Sequence, residues 1–195
     1  MTTLRLILGD QLNAAHPWFR EKRDGVLYVM AELRQEGTYV RHHAQKLIGF
    51  LAAMRAFAAA LAKAGHRVHY VHITDPDAAL DFVALLHKLA RQHGATALAY
   101  QLPDEWRLDR QLDGLGAATG LPVTAHDTQH FYTTREEVAA FFGRRQWRME
   151  AFYREMRRRH GLLLEAGGEP VGGQWNFDAE NREKWKGDPA APVFP

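Results

Sequence analysis

The sequence predicts an α/β fold: a doubly wound, Rossmann-like sheet of five parallel strands, helices on both faces, and a C-terminal helical and loop arm. Three observations predict it. Short, almost wholly apolar runs recur along the first two thirds of the chain, as strands buried on both faces require. Between them lie longer stretches whose apolar residues repeat at three and four, the period of a helix face. The two kinds of segment alternate, which marks βαβ units and a parallel sheet. Right-handed crossovers then favour the strand order 3-2-1-4-5.

Leu4 to Leu8 is the first apolar run and ends at Gly9-Asp10. Val26 to Met30 is the second, announced by Asp24-Gly25. From about Tyr39 to Ala64 the period changes: Leu47, Phe50, Leu51, Met54, Phe57, Ala58 and Leu61 form one face of a long helix that Gly65 ends. Arg67 to Ile73 reads as a third strand, broken by Thr74-Asp75-Pro76, and Asp77 to His93 as a helix closed by Gly94. Ala97 to Tyr100 is a fourth strand, followed by Pro103 and a helix from about Glu105. Gly120 and Pro122 bracket the end of that helix, and Val123 to Ala125 is the fifth strand. Helices near Thr134 to Phe142 and Gln146 to His160 precede a tail rich in glycine and proline.

These elements divide the 195 residues into a Rossmann-like domain over 1–143 and an arm over 144–195. Hydrophobic residues at 46% against 25% charged give a chain able to bury a core rather than a disordered one. The apolar start reads as a first strand, not a signal peptide, since no charged leader or cleavage site accompanies it. No uninterrupted apolar run approaches the roughly 20 residues of a membrane span, so no membrane partner is expected. The absence of cysteine removes disulfides and thiolate metal sites, and fits an expected cytoplasmic location. Serine is absent too, so a Ser-His-Asp triad is impossible.

In open parallel sheets ligands bind beyond the carboxyl ends of the strands, where the strand order reverses. Strand one ends in Gly9-Asp10-Gln11, strand two leads to Glu32 and Glu36, and strand four to Pro103-Asp104-Glu105-Trp106-Arg107. These loops converge on one crevice. No Gly-x-Gly-x-x-Gly or Walker-type loop occurs, so nucleotide phosphate cradling is unsupported. Gly9 allows close approach of a planar ligand, and Asp10 and Gln11 offer the acceptor and donor that an amide-edged heterocycle needs. The same residues also suit a strand-ending turn with Asp10 as local cap. Tyr39, His42 or His43, Lys46 and Phe50 follow a three-to-four spacing that can line the crevice. Tyr39 and Phe50 would sandwich an aromatic ring and Lys46 would take a charged or ribityl-type tail. Adjacent histidines point about 100° apart, so one faces the crevice and the other solvent, and a metal site is not expected.

The late segment is crowded with positive charge. Arg144, Arg145, Arg148, Arg154, Arg157, Arg158 and Arg159 face only Glu150 and Glu155, although the whole chain carries a net charge of only +2. Such a cluster meets phosphates or an acidic surface, or is simply a solvated helix face. Phe152, Tyr153 and Met156 share an apolar stripe expected to anchor this helix to the sheet. The following tail carries Trp175, Asn176, Phe177, Asp178, Asn181 and Arg182, a composition unlike a flexible linker.

Several stretches together resemble one family. They are Leu6-Ile7-Leu8-Gly9-Asp10-Gln11-Leu12, Thr38-Tyr39-Val40-Arg41-His42-His43, Gly65 to Tyr70, Glu105-Trp106-Arg107, Met149 to Arg158, and Pro170 to Arg182. The pattern is similar to the deoxyribodipyrimidine photolyase-related family, the bacterial iron–sulfur photolyases and cryptochromes that act on (6-4) lesions. The resemblance implies an N-terminal antenna domain holding 6,7-dimethyl-8-ribityllumazine, at a site comprising Gly9, Asp10, Gln11, Glu36, Tyr39, His43, Lys46 and Phe50. It implies a position 50 that is aliphatic, so the Phe50 ring would crowd that site. It further implies a separate C-terminal catalytic domain, carrying FAD and a [4Fe–4S] cluster, in a full-length protein that acts on DNA in light. Arg154, Arg157, Arg158, Trp175, Asn176, Phe177, Asp178, Asn181 and Arg182 would then form the seam with that domain. A light-signalling cryptochrome and an independent nucleotide- or metabolite-binding module are the alternative readings.

Overall fold

Strand β1 (Thr2–Leu6) occupies the middle of the sheet, flanked by β2 (Val26–Ala31) and β4 (Ala95–Gln101). In the computed structural model, which describes residues 1–143, 146–178, 184, 186, 187, 189, 190 and 193, five parallel strands run in the order β3-β2-β1-β4-β5. The outer strands are β3 (Val68–Val71) and β5 (Val123–His126). This is the doubly wound order expected from the alternation of elements. Every residue of β2 is buried, which explains its continuous apolar run.

The pleat sends alternate side chains to opposite faces. Leu4, Leu6, Leu27, Val29, Leu98 and Tyr100 face α3 (Phe82–His93), α4 (Trp106–Asp113) and α5 (Leu115–Thr119), whose Leu85, Leu89, Leu112 and Leu115 complete one core. Ile7, Tyr28, Met30 and Ala99 face the other way, toward α2 (Ala44–Lys63) and a 3-10 turn at Pro17–Phe19. That second core is closed by Trp18, Met54, Ala58 and Leu61. By length and composition α2 could cross a membrane, with a mean hydropathy of 1.3 over 18 residues; here it lies on the sheet.

Two expected helices start later than their apolar pattern. The helix expected from Tyr39 begins at Ala44, because the His43 side chain accepts a hydrogen bond from the backbone N–H of Gln45 and so caps it. A separate short helix, α1 (Arg34–Thr38), precedes that break. The helix expected from Asp77 begins at Phe82, capped by Asp81, after a 3-10 turn at Pro76–Ala79. It ends at Gly94, whose φ of 57° is the left-handed conformation glycine adopts without strain.

The chain forms two compact units, Met1–Phe131 and Tyr132–Pro195. The boundary expected at 143/144 falls inside the second. A capping box of Thr134 and Glu137 starts α6 (Arg135–Phe142). The Phe142 ring then stacks on Trp147, with centroids 4.7 Å apart, and contacts Phe152 of α7 (Met149–His160). These ring contacts join α6 to α7.

Candidate functional site

The carboxyl ends of β1 and β2 open on a cavity of about 430 Å³ within the first unit. Its walls are mostly apolar, with Leu8, Ala31, Leu33, Leu51 and Met54 among them. Gly9 and Asp10 come from the end of β1, Glu32 and Glu36 from the end of β2 and from α1, and Glu105 and Arg107 from the start of α4. Tyr39 and His42 come from the loop between α1 and α2, and Lys46 and Phe50 from the first turns of α2. An apolar cavity with a few convergent polar groups is the general form of a small-molecule site.

Gly9 is required by a contact within the protein. A Cβ there would lie 2.3 Å from Phe50 Cε1 and 2.8 Å from Met54 Sδ. The close approach that the sequence assigns to a planar ligand is therefore made by the Phe50 ring. That ring stays 41% exposed and keeps a surface toward the opening.

The carboxylates of the site are held differently from one another. Glu32 is buried and accepts hydrogen bonds from Arg55 Nε at 2.6 Å and Nη2 at 2.8 Å, from the Tyr70 hydroxyl at 2.6 Å and from Ile73 N–H at 2.9 Å. Burial alone would raise its pKa; these donors outweigh that and hold the carboxyl down at about 2. The same network raises the Tyr70 hydroxyl, first through burial and then through Glu32. Glu36 receives both terminal nitrogens of Arg107, at 3.1 and 2.8 Å, and the guanidinium lies 4.5 Å from the Tyr39 ring centroid. Asp10 has its pKa raised above the usual value. The surrounding walls strip water from it, and the negative charges of Asp104 and Glu36 add to the effect, while His130 opposes it. Asp104 itself pairs with His130 at 2.7 Å.

Six of the eight sequence-derived pocket residues thus line the cavity: Gly9, Asp10, Glu36, Tyr39, Lys46 and Phe50. Gln11 does not. It is buried, its Oε1 accepts from Leu8 N–H at 2.9 Å, and its Nε2 donates to the Gln101 carbonyl at 3.1 Å. Its amide ties the end of β1 to the end of β4 and is not directed to a ligand. His43 is replaced on the wall by His42, because His43 is committed to capping α2. The Arg55–Glu32 pair was not anticipated, yet it left a signal. Arg55 is the only charged residue between Lys46 and Lys63 on an otherwise apolar helix, and such a charge needs a partner.

In the second unit, the guanidiniums of Arg154, Arg157 and Arg158 gather around the Trp175 ring at 5.9, 5.0 and 4.7 Å from its centroid. Arg157 is buried and donates to the carbonyls of Leu162 and Leu163, and Arg154 pairs with Glu150. Asn176 Oδ1 accepts from Asp178 N–H, and the Phe177 ring lies against Gly172. Phe152 packs on Phe141 and Phe142 of α6, while Tyr153, expected in the same anchoring stripe, is exposed. Arg144, Arg145, Asn181 and Arg182 lie outside the described residues. Among the described residues no cluster of three or more His, Asp or Glu side chains is placed to hold a metal ion.

Comparison with known proteins gives two matches. Residues 5–195 match the family model described as deoxyribodipyrimidine photo-lyase-related protein. The chain is also 39% identical over 201 residues to a (6-4) photolyase of Agrobacterium fabrum (strain C58 / ATCC 33970). That alignment covers 100% of this chain and 39% of the relative, so the chain spans about two fifths of the relative's length.

Proposed function

The chain belongs to the deoxyribodipyrimidine photo-lyase-related family, and from that premise we propose that it is the antenna domain of a light-driven DNA repair protein of the (6-4) type. The observation that carries this reading is the cavity at the carboxyl ends of β1 and β2. Its volume of about 430 Å³ lies within the range of roughly 300–1,000 Å³ that suits small ligands. The residues fit a ribityllumazine. Asp10 offers a carboxylate to the polar edge of a heterocycle, Tyr39 and Phe50 offer ring faces, and Lys46 and His42 offer donors to a hydroxylated tail. When bound, such a chromophore absorbs light and passes excitation to a flavin. The protein's own part is to hold it: apolar walls exclude water, and the Glu36–Arg107 pair keeps Tyr39 in place. FAD, the [4Fe–4S] cluster, the DNA contacts and the repair chemistry are assigned to the part of the protein beyond this chain, in the cytoplasm.

Titration with 6,7-dimethyl-8-ribityllumazine, followed by fluorescence, should show saturable binding to this chain. Asp10→Ala should weaken it about tenfold, the order expected for one lost hydrogen bond to a charged acceptor. Unchanged affinity in that variant would place the ligand elsewhere.

We also propose that the arginine and tryptophan cluster of the second unit is the seam with the catalytic domain. Arg157 is already engaged with two carbonyls, and Trp175 carries three guanidiniums, so these groups are not free to track a phosphate backbone. Next to them Met149, Tyr153, Leu163, Val171 and Phe177 are exposed, as an uncovered apolar contact would be. The isolated chain should therefore self-associate as its concentration rises in light scattering. A strictly monomeric chain that binds duplex DNA at low salt, and loses that binding with Arg157→Ala and Arg158→Ala, would contradict the seam.

A further inference from the structure

We propose that Asp104 and His130 are positioning residues for the ligand of the cavity: held as a pair beside Asp10, they set the charge with which Asp10 meets it. This rests on the cavity being the chromophore site, with Asp10 as an acceptor for the heterocycle. It goes further by giving a role to two residues that do not line the cavity.

The three side chains come from neighbouring strand ends. Asp10 follows β1, Asp104 follows β4 and His130 follows β5, and these strands are adjacent in the sheet. Gln11 fastens the first two ends together, its Nε2 donating to the Gln101 carbonyl at 3.1 Å and to that of Leu102 at 3.4 Å. Leu102 N–H donates in turn to the His126 carbonyl at 2.8 Å and fastens the third. His130 Nδ1 lies 2.7 Å from Asp104 Oδ2, so its N–H donates to that carboxylate. The two side chains are only 25% and 31% exposed, and water screens them less than it screens a surface pair.

The loop after β5 is built to hold the histidine there. Asp127 turns its carboxylate to its own backbone, where Oδ2 accepts from Gln129 N–H at 2.8 Å. Oγ1 of the buried Thr128 accepts from His130 N–H at 3.3 Å, and the buried His16 meets the Asp127 carbonyl at 3.0 Å. Gln129 takes a φ of 60°, a left-handed conformation that a non-glycine residue keeps only where its surroundings enforce it.

The other acids of the cavity already have cations. Glu32 is matched by Arg55, and Arg107 lies 2.8 Å from Glu36 and 3.3 Å from Glu105. The remaining cationic groups of the wall, Arg34, His42 and Lys46, belong to α1, its following loop and α2. Burial is the largest influence on Asp10 and raises its pKa; a backbone hydrogen bond lowers it, the charges of Asp104 and Glu36 add to the rise, and His130 opposes it. A carboxyl raised in this way stops accepting at a higher pH than a free one, so affinity for a proton-donating ring edge falls on the acid side. The Asp104–His130 pair fixes where that fall lies.

Two substitutions separate charge from structure, because both disturb the same 2.7 Å contact but change the charge beside Asp10 in opposite senses. Asp104→Asn removes the negative charge and leaves the histidine, whereas His130→Gln removes the cation and leaves the aspartate. In the ligand-free chain the Asp10 carboxyl carbon, followed by NMR and identified by its loss in Asp10→Asn, should titrate at lower pH in Asp104→Asn and at higher pH in His130→Gln. The acid limb of 6,7-dimethyl-8-ribityllumazine binding, followed by fluorescence, should move the same two ways. Within that limb the two variants should differ about threefold or more in affinity, the order of one screened charge. Well above it they should bind like the unaltered chain. Shifts of the Asp10 resonance in one common direction, or in neither variant, overturn the inference, since lost packing alone would move both alike. Opposite NMR shifts beside a lumazine pH profile that moves in neither variant overturn it too, and leave the chromophore reading in place. Opposite NMR shifts without lumazine binding support the hold of the pair on Asp10 and remove the lumazine.

Discussion

Glu32→Gln is expected to lower stability by about 2 kcal/mol at neutral pH and by almost nothing near pH 2. Glu32 sits at the end of β2 with its side chain wholly buried, and it alone receives Arg55, Tyr70 and the backbone of Ile73. Its pKa falls from 4.5 to about 2 in the folded protein. A depressed carboxyl stabilises the fold fully above its unfolded value and loses that contribution as pH falls through the folded one. The window is therefore pH 4.5 down to about 2. A depression of this size corresponds to on the order of 3 kcal/mol, and the half-exposed Arg55 partner lets water screen part of it, which leaves about 2. Urea denaturation of the two proteins at pH 7 and again near pH 2 provides the measurement. A difference that does not change with pH would mean that packing, not charge, makes the Glu32 contribution.

Gly9→Ala is expected to cost about 1–3 kcal/mol, the usual range for overfilling a packed site. The new methyl carbon would stand 2.3 Å from the Phe50 ring, and Met54 Sδ at 2.8 Å blocks the other escape. Phe50 is the neighbour that can move, since it is partly exposed, and it would swing into the cavity opening. Gly9→Ala should therefore also reduce chromophore affinity. In a Phe50→Ala background the same substitution should cost little, giving a coupling energy that a double-mutant cycle reads directly. Additive effects would show that the ring is not what makes glycine necessary here.

The sheet was legible because its signal is local. Val26 to Met30 is apolar at every position, and only a strand covered on both faces uses such a run. The strand order followed from chirality, and the cavity from the strand order. What the sequence did not reveal was which way individual polar side chains turn. Gln11 and Asp10 are neighbours with similar capacity, yet Gln11 turns inward because the Gln101 carbonyl at the end of β4 needs a donor there. His42 and His43 exchange roles because the first residue before a helix is claimed as its cap. Both outcomes depend on partners distant in sequence or on a helix start that a periodic pattern places only within a few residues. Arg107 was read as part of a motif, but its grip on Glu36 joins α4 to α1 across 71 positions, and no local spacing encodes that.

The central place of β1 has a consequence for synthesis. Leu4 pairs with Leu27 on one side and with Leu98 on the other. On the ribosome β1, β2 and β3 emerge together and can assemble as half a sheet while β4 has yet to be translated. During that interval one flank of β1 presents unpaired N–H and C=O groups, the kind of exposed margin that recruits strands from other chains. β1 waits for its second neighbour until β4 has been made. The pace of translation between His72 and Gln101 thus governs how long a nascent chain carries its most aggregation-prone edge uncovered.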